Sequence, residues 1–236
     1  MKNIAVILAG GTGSRTGLNK PKQFVEVDGR TLIERSIDAF DGHPLIDEVL
    51  VVVHPDWMDY ARQLQQQNAW TKVKRIIEGG SERYLSSLNA VVACLDEPDD
   101  TNLLFHDAAR PWDSQEVIDR VVKSLQQHEA VGVGILSTDT IWEVRSEFDL
   151  AAAGRGEPLP KFVTRIPERN QMWRAQTPQA FRLPVIRDAY QRALQDPQFH
   201  STDDCGVVRR YMTEVKIYVV EGEESNKKVT FAEDLL

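Results

Sequence analysis

The chain has 236 residues, 42% of them hydrophobic and 27% charged, and a formal net charge of −8. That length supports one sizeable core, and the composition is that of an ordinary globular domain. The acidic balance argues against bulk nucleic acid or an anionic membrane as the main partner, but it leaves room for a local cationic pocket that takes a small anion. Cys94 and Cys205 lie far apart, and neither has a second cysteine at metal-ligand spacing. No apolar run approaches the roughly 18 residues of a membrane span. The start of the chain carries one lysine and then a strand, not an apolar leader, so a reducing cytoplasm is the expected location.

The first element is an apolar β-type run, Ile4 to Leu8, followed at once by Ala9, Gly10, Gly11 and Gly13. Glycine lets the backbone turn tightly and approach a ligand without a Cβ in the way. Arg15, Lys20 and Lys22 then supply cations, so the loop reads as a polyphosphate cradle. It is neither a P-loop, which closes on Gly-Lys-Ser/Thr, nor a dinucleotide fingerprint, which needs glycine where Thr16 stands.

Periodicity predicts a helix over 31–40 with Thr31 as its cap, and a strand over 48–53. A helix over 56–67 and a short strand over 74–77 follow. The next helix spans 81–95, with Leu85, Leu88, Val92 and Leu95 on its apolar face, and a plain cap by Ser81 is the structural alternative to a ligand site at its start. A strand then ends at His106-Asp107, ahead of a helix over 115–127 and a strand over 130–136. This alternation predicts an α/β fold, a Rossmann-like and mostly parallel sheet with helices on both faces. Ligands in such sheets sit at the carboxyl ends of strands, so the glycine loop, Gly79-Gly80 and Asp107 should converge. From 138 to about 170 the rhythm breaks into two strands around a Gly/Pro turn at 151–160. This reads as a projecting β-arm on a single domain spanning 1–236. A lone hairpin is barely stable in water, so the arm is expected to pack on another chain. Beyond it a helix over 183–194, a strand over 215–220 and a last helix from 231 complete the reading.

Several groups could carry chemistry. Gly80, Arg83 and Ser86 open the 81–95 helix, where backbone N–H groups could hold a base or ribose. Asp107, at the end of a central strand beside a polyphosphate loop, is placed to hold Mg²⁺, which takes one or two carboxylates plus phosphate oxygens. The structural alternative is an Asp107–Arg110 pair that only shapes the turn. Arg165, Arg169, Arg174, Gln176 and Thr177 form a cluster that could bind a second phosphate. His54, His128 and His200 have no ligand spacing and read as surface groups.

LAGGTGSR, PKQF, GGSER, HDAARP, AQTPQAF, TDDC and NKKVT occur in order along nearly the whole chain. Together they resemble the cytidylyltransferase family that includes the 2-C-methyl-D-erythritol 4-phosphate and ribitol-5-phosphate enzymes. The resemblance implies transfer of CMP from CTP to a polyol phosphate, with Mg²⁺ as cofactor and a homodimer formed through the arm. It implies catalytic roles for Arg15, Lys22 and Lys228. Ala9, Gly10, Gly11, Gly13, Gly80, Arg83, Ser86, Asp107 and Ala108 then hold the nucleotide, with Asp107 also at the metal. Thr140, Arg169, Thr177 and Thr202 hold the acceptor, the first two reaching across from the partner.

Thr16, Ser225, Lys227 and the turn at 151–160 depart from the family pattern. LAGG, Gln23-Phe24, Gln176 and Cys205 after TDD look more like the ribitol enzymes, and HDAAR more like the erythritol ones. On balance this favours ribitol 5-phosphate as acceptor, with the methylerythritol enzyme of isoprenoid precursor synthesis as the alternative. A catalytically silent nucleotide-binding protein is the reading from another class. Its signature, loss of Arg15, Lys22 or Asp107, is absent. An oxidoreductase is disfavoured because His54-Pro55, not an acid, follows the second strand.

Overall fold

The computed structural model describes residues 1–11, 20–147 and 159–235. Gly13 and Arg15, and the turn expected at 151–160 except for its last two residues, lie outside them. The chain divides into two compact units, one of residues 1–134 and 176–236 and the other of residues 135–175.

The larger unit is built on a seven-stranded sheet in the order β11 (Ile217–Glu221), β7 (Ala130–Leu136), β10 (Trp173–Arg182), β6 (Asn102–Asp107), β1 (Asn3–Ala9), β4 (Glu48–Val53), β5 (Val73–Glu78). β1 lies in its interior, paired in parallel with β4 and with β6, the middle strand of the seven. β1 is buried along its whole length, as an apolar run in a sheet covered on both faces must be. Alternate side chains go to opposite layers. Ala5 and Ile7 pack toward α1 (Leu32–Asp41), α2 (Met58–Asn68) and α4 (Gln115–Ser124). Ile4 and Val6 pack toward α3 (Arg83–Val92), α5 (Leu183–Ala193) and α6 (Asp204–Tyr211). Helix α1 starts on a full capping box, Thr31 accepting from the Glu34 N–H while Glu34 Oε2 accepts from the Thr31 N–H at 2.8 Å. A small hairpin, β2 (Glu26–Val27) and β3 (Arg30–Thr31), precedes it.

From β1 the chain runs to β4 and β5 (Val73–Glu78) on one side, then crosses to β6 on the other. That reversal is a topological switch point, and it opens a crevice beyond the carboxyl ends of β1, β4 and β6. The register brings those ends level, with Leu8 opposite Asp107 and Ala9 opposite Val53.

The structure corrects the sequence reading at several points. Helix α3 begins at Arg83 without a side-chain cap, so Ser81 does not cap it. Its buried face is Ser86, Ser87, Ala90 and Val91, while Val92 is 56% exposed. The small residues let the helix lie close to the sheet, which overrides the leucine stripe. β10 (Trp173–Arg182) runs antiparallel to β6, and α6 was not foreseen. The helix expected from 231 is a single 3₁₀ turn, Ala232–Leu235.

The smaller unit holds a two-stranded antiparallel hairpin, β8 (Glu143–Ser146) with β9 (Lys161–Arg165), every residue of which is exposed. Trp142 is 61% and Phe162 50% exposed, which is unusual for side chains of this size. Among the described residues no helix is long and apolar enough to cross a membrane.

Candidate active site

At the switch point lies a cleft of about 720 Å³, lined by Ala9, Gly10, Gly11, Lys22, Gly80, Arg83, Ser86, Asp107, Thr202 and Lys228 among others. A volume of this order suits a nucleotide-sized ligand. The elements bring each group there for local reasons. Gln23, 3% exposed, donates its side-chain amide to the carbonyls of Ala9 and Gly11, both at 2.7 Å, and so fixes the approach to the glycine loop. Phe24 beside it stacks on Trp57 with ring centroids 4.4 Å apart, which anchors the PKQF turn to the core. Lys22 lines the cleft from that turn and donates from Nζ to the Val229 carbonyl at 2.6 Å.

The opposite wall comes from the start of α3. Ser86 Oγ accepts from the Gly80 N–H at 3.1 Å. A Cβ on Gly80 would fall 2.1 Å from the Leu85 Cβ, and one on Gly10 would fall 2.7 Å from Ser86 Oγ. Both positions therefore require glycine for close packing around Ser86.

Asp107 is the electrostatic centre of the site. Its Oδ1 accepts from Arg83 Nε at 3.0 Å and its Oδ2 from Lys228 Nζ at 2.6 Å. Arg83 also donates from Nη1 to Asp204 Oδ2 at 2.8 Å, and Asp204 is fully buried and held by the Tyr190 hydroxyl at 2.7 Å. Burial alone would raise the Asp107 carboxyl, but the Arg83 and Lys228 charges outweigh it and hold it well below the usual carboxylate range. Burial likewise opposes the Arg83 charge, and Asp204 and Asp107 reverse that effect and raise it. Arg83 Nη2 is buried and has no hydrogen-bond partner among the described residues. Within the turn the Arg110 N–H donates to the Asp107 carbonyl at 2.9 Å, and Arg110 Nη1 donates to the Asn226 carbonyl at 2.6 Å.

Not every foreseen residue lines the cleft. Ala108 is buried, with its N–H on the Leu8 carbonyl at 3.0 Å. Thr177 is buried behind Asp107, its hydroxyl accepting from the Asp107 N–H at 3.2 Å. Arg165, Arg169 and Arg174 are exposed in the smaller unit, as is Thr140, whereas Gln176 and Thr177 are buried in the larger one. His54, read from sequence as a surface group, lines the cleft. Its place directly after β4 was the signal that could have identified it.

For a divalent metal the donor set is one buried carboxylate. No group of three His, Cys, Asp or Glu side chains is gathered for a metal among the described residues. Among the described residues each Asp107 oxygen accepts a single side-chain hydrogen bond and retains further acceptor capacity. This fits an ion that brings its remaining oxygen ligands with a polyphosphate, as Mg²⁺ does.

A Rossmann-like sheet with a cation-ringed carboxylate at its switch point defines an α/β protein that handles nucleotide phosphates. The model of the family described as IspD, 2-C-methyl-D-erythritol 4-phosphate cytidylyltransferase, matches residues 3–236. The chain is 45% identical to the 2-C-methyl-D-erythritol 4-phosphate cytidylyltransferase of Thermobifida fusca, over 98% of this chain and 89% of that one. It is 37% identical to the bifunctional ribulose 5-phosphate reductase/CDP-ribitol pyrophosphorylase Bcs1 of Haemophilus influenzae, over 99% of this chain but 47% of that one. Among solved structures, 4-diphosphocytidyl-2C-methyl-D-erythritol synthase of Anaerococcus prevotii superposes with a TM-score of 0.80 at 28% identity, covering 99% of this chain and 92% of that one.

The chain belongs to the 2-C-methyl-D-erythritol 4-phosphate cytidylyltransferase (IspD) family and is a CTP-dependent nucleotidyltransferase. The preference for ribitol 5-phosphate is overturned. The family model and the relatives of high identity over nearly their full length carry the methylerythritol name, and the ribitol-linked relative is less similar.

Proposed function

We propose that the chain transfers CMP from CTP to 2-C-methyl-D-erythritol 4-phosphate and releases pyrophosphate. The observation that carries this reading is the set of Lys22, Arg83 and Lys228 around a buried Asp107 in one cleft at the sheet's switch point. The acceptor follows from the name of the relative that shares 45% of its residues.

An oxygen of the acceptor's phosphate attacks the α-phosphorus of CTP in line. The new P–O bond forms as the bond from the α-phosphorus to the bridging oxygen breaks, and that oxygen leaves with its electron pair as pyrophosphate. No protein nucleophile is required, so the protein contributes positioning and charge. Gly10, Gly11 and Gly13 wrap the triphosphate, with Ala9 and Ala108 shaping its surroundings. Gly80, Arg83 and Ser86 hold the cytidine end. Arg15, Lys22 and Lys228 offset the negative charge that builds up on the phosphates. The orphaned Nη2 of Arg83 is a donor suited to an anionic ligand. Asp107 and phosphate oxygens would hold Mg²⁺, which when bound supplies further charge neutralisation.

The acceptor is held by Thr202, with Thr177 supporting the site from behind Asp107, and by Thr140 and Arg169 from a second copy, because the exposed apolar side chains of the arm suit burial in a homodimer. Incubation with CTP, Mg²⁺ and methylerythritol phosphate, followed by ³¹P NMR, should show a new diphosphate diester together with free pyrophosphate. Unchanged CTP would refute the assignment.

A further inference from the structure

Lys228 sits in a segment without helix or strand of its own, between the end of β11 (Ile217–Glu221) and the closing 3₁₀ turn at Ala232. A long lysine on irregular backbone needs some other device to keep its ammonium at one oxygen. The structure supplies it two residues earlier. Asn226 is fully buried, and its Nδ2 donates both hydrogens, to Asp113 Oδ1 at 2.9 Å and to the Thr177 carbonyl at 2.8 Å.

Both acceptors lead back to Asp107. The Thr177 hydroxyl accepts from the Asp107 N–H at 3.2 Å and lies 3.2 Å from His106 Nδ1. The His106 Nε2 lies 3.0 Å from the Arg110 carbonyl and donates to it, and its Nδ1 faces the Thr177 hydroxyl. Asp113 belongs to the loop that follows Asp107. One amide thus ties the Lys228 segment to the Asp113 side chain on the loop after Asp107 and to Thr177, whose hydroxyl meets the Asp107 N–H.

The rest of the segment is stitched down around this point. Gln176 pairs with the backbone of Glu223, donating to its carbonyl at 2.7 Å and accepting from its N–H at 3.2 Å. The Val229 N–H donates to the Ala109 carbonyl at 2.8 Å.

We propose that Asn226 is a positioning residue for the transfer reaction: through Asp113 and Thr177 it sets the Lys228 ammonium at Asp107 and so at the reacting phosphates. This rests on the reading of Lys228 as a group that meets the nucleotide.

The test is a double-mutant cycle on the full chain, with kcat and KM for CTP measured for Asn226→Ala, Lys228→Ala and the double variant, beside thermal melting of each. Lys228→Ala should lower kcat about 10²–10³-fold, as loss of a preorganised transition-state donor does. Asn226→Ala should lower kcat about 10–10²-fold with KM for CTP within about twofold, the loss expected for a misplaced catalytic group. In the Lys228→Ala background Asn226→Ala should cost no more than about twofold, since the group it positions is gone.

A purely structural asparagine would lower kcat by the same factor in both backgrounds, and that result overturns the proposal, as does full turnover by folded Asn226→Ala. If Asn226→Ala does not fold, Asp113→Ala, which removes one of the amide's acceptors, takes its place in the cycle with the same expected pattern. A wild-type chain without turnover would strike the assigned reaction itself. Full activity in Lys228→Ala would strike Lys228, and additive losses with both singles impaired would strike Asn226 alone.

Discussion

A single carboxylate, Asp107, concentrates the charge of the cleft because two cations on different parts of the chain converge on it. Arg83 comes from α3 and Lys228 from the C-terminal segment, 121 residues beyond Asp107. Lys22 faces the same cleft and carries the most direct residue-level prediction. Lys22→Ala should fold normally and lose about 10²–10³-fold in kcat/KM, the effect of removing one preorganised charge-stabilising donor. Circular dichroism and initial rates check the two halves. A second prediction concerns His106. Its folded value of about 4 lies below the ordinary 6.5, so its contribution to stability is complete above pH 6.5 and is lost as pH falls toward 4. Between pH 7 and pH 5 the wild-type chain should lose about 2 kcal/mol of stability that His106→Gln does not lose. Urea melts of both at the two pH values measure it. At this scale the sequence marked Asp107 and Lys22 as candidates through their place after strand and glycine loop, and both line the cleft. It could not reveal that Arg83 bridges Asp107 and Asp204, since nothing local links positions 83 and 204. Nor could it reveal that Gln23 holds the loop's carbonyls.

Among the elements, α3 shows best how function bends local pattern. Its leucines suggested one buried face, yet the helix buries serines and small residues instead, so that Ser86 can reach the cleft and accept from Gly80. Gly80→Ala would put a Cβ 2.1 Å from that of Leu85. Overpacking of this kind costs about 1–3 kcal/mol. The variant should melt several degrees lower and raise KM for CTP, which thermal denaturation and saturation kinetics test together. β10 escaped the sequence reading because Pro178 argues against a central strand. The structure accommodates it because the pairing with β6 begins only at Gln179, past the proline. Helix α6 escaped for a different reason: it has eight residues and includes Gly206, too short and too broken for a clear period. The strands with unbroken apolar runs, β1 and β4, were legible because a doubly covered parallel strand leaves no polar position to confuse the pattern.

For the molecule as a whole, the sheet order fixes where a ligand can sit, and the exposed hairpin raises the question of assembly. We expect two chains per particle in sedimentation velocity, and Trp142→Asp combined with Phe162→Asp should yield a single-chain species with little activity. A wild-type protein that sediments as one chain would remove the partner's Thr140 and Arg169 from the account. The choice of acceptor was the least legible property. The methylerythritol and ribitol phosphates differ by a hydroxyl pattern and a methyl group, a difference worth only a few kcal/mol in a pocket. Motif fragments such as LAGG and Cys205 pointed one way, and similarity over the full length pointed the other. The decisive measurement is pyrophosphate release from CTP with each acceptor in turn. The account predicts release with methylerythritol phosphate at a kcat/KM well above that with ribitol 5-phosphate. Release with ribitol 5-phosphate alone, or with neither, would contradict it.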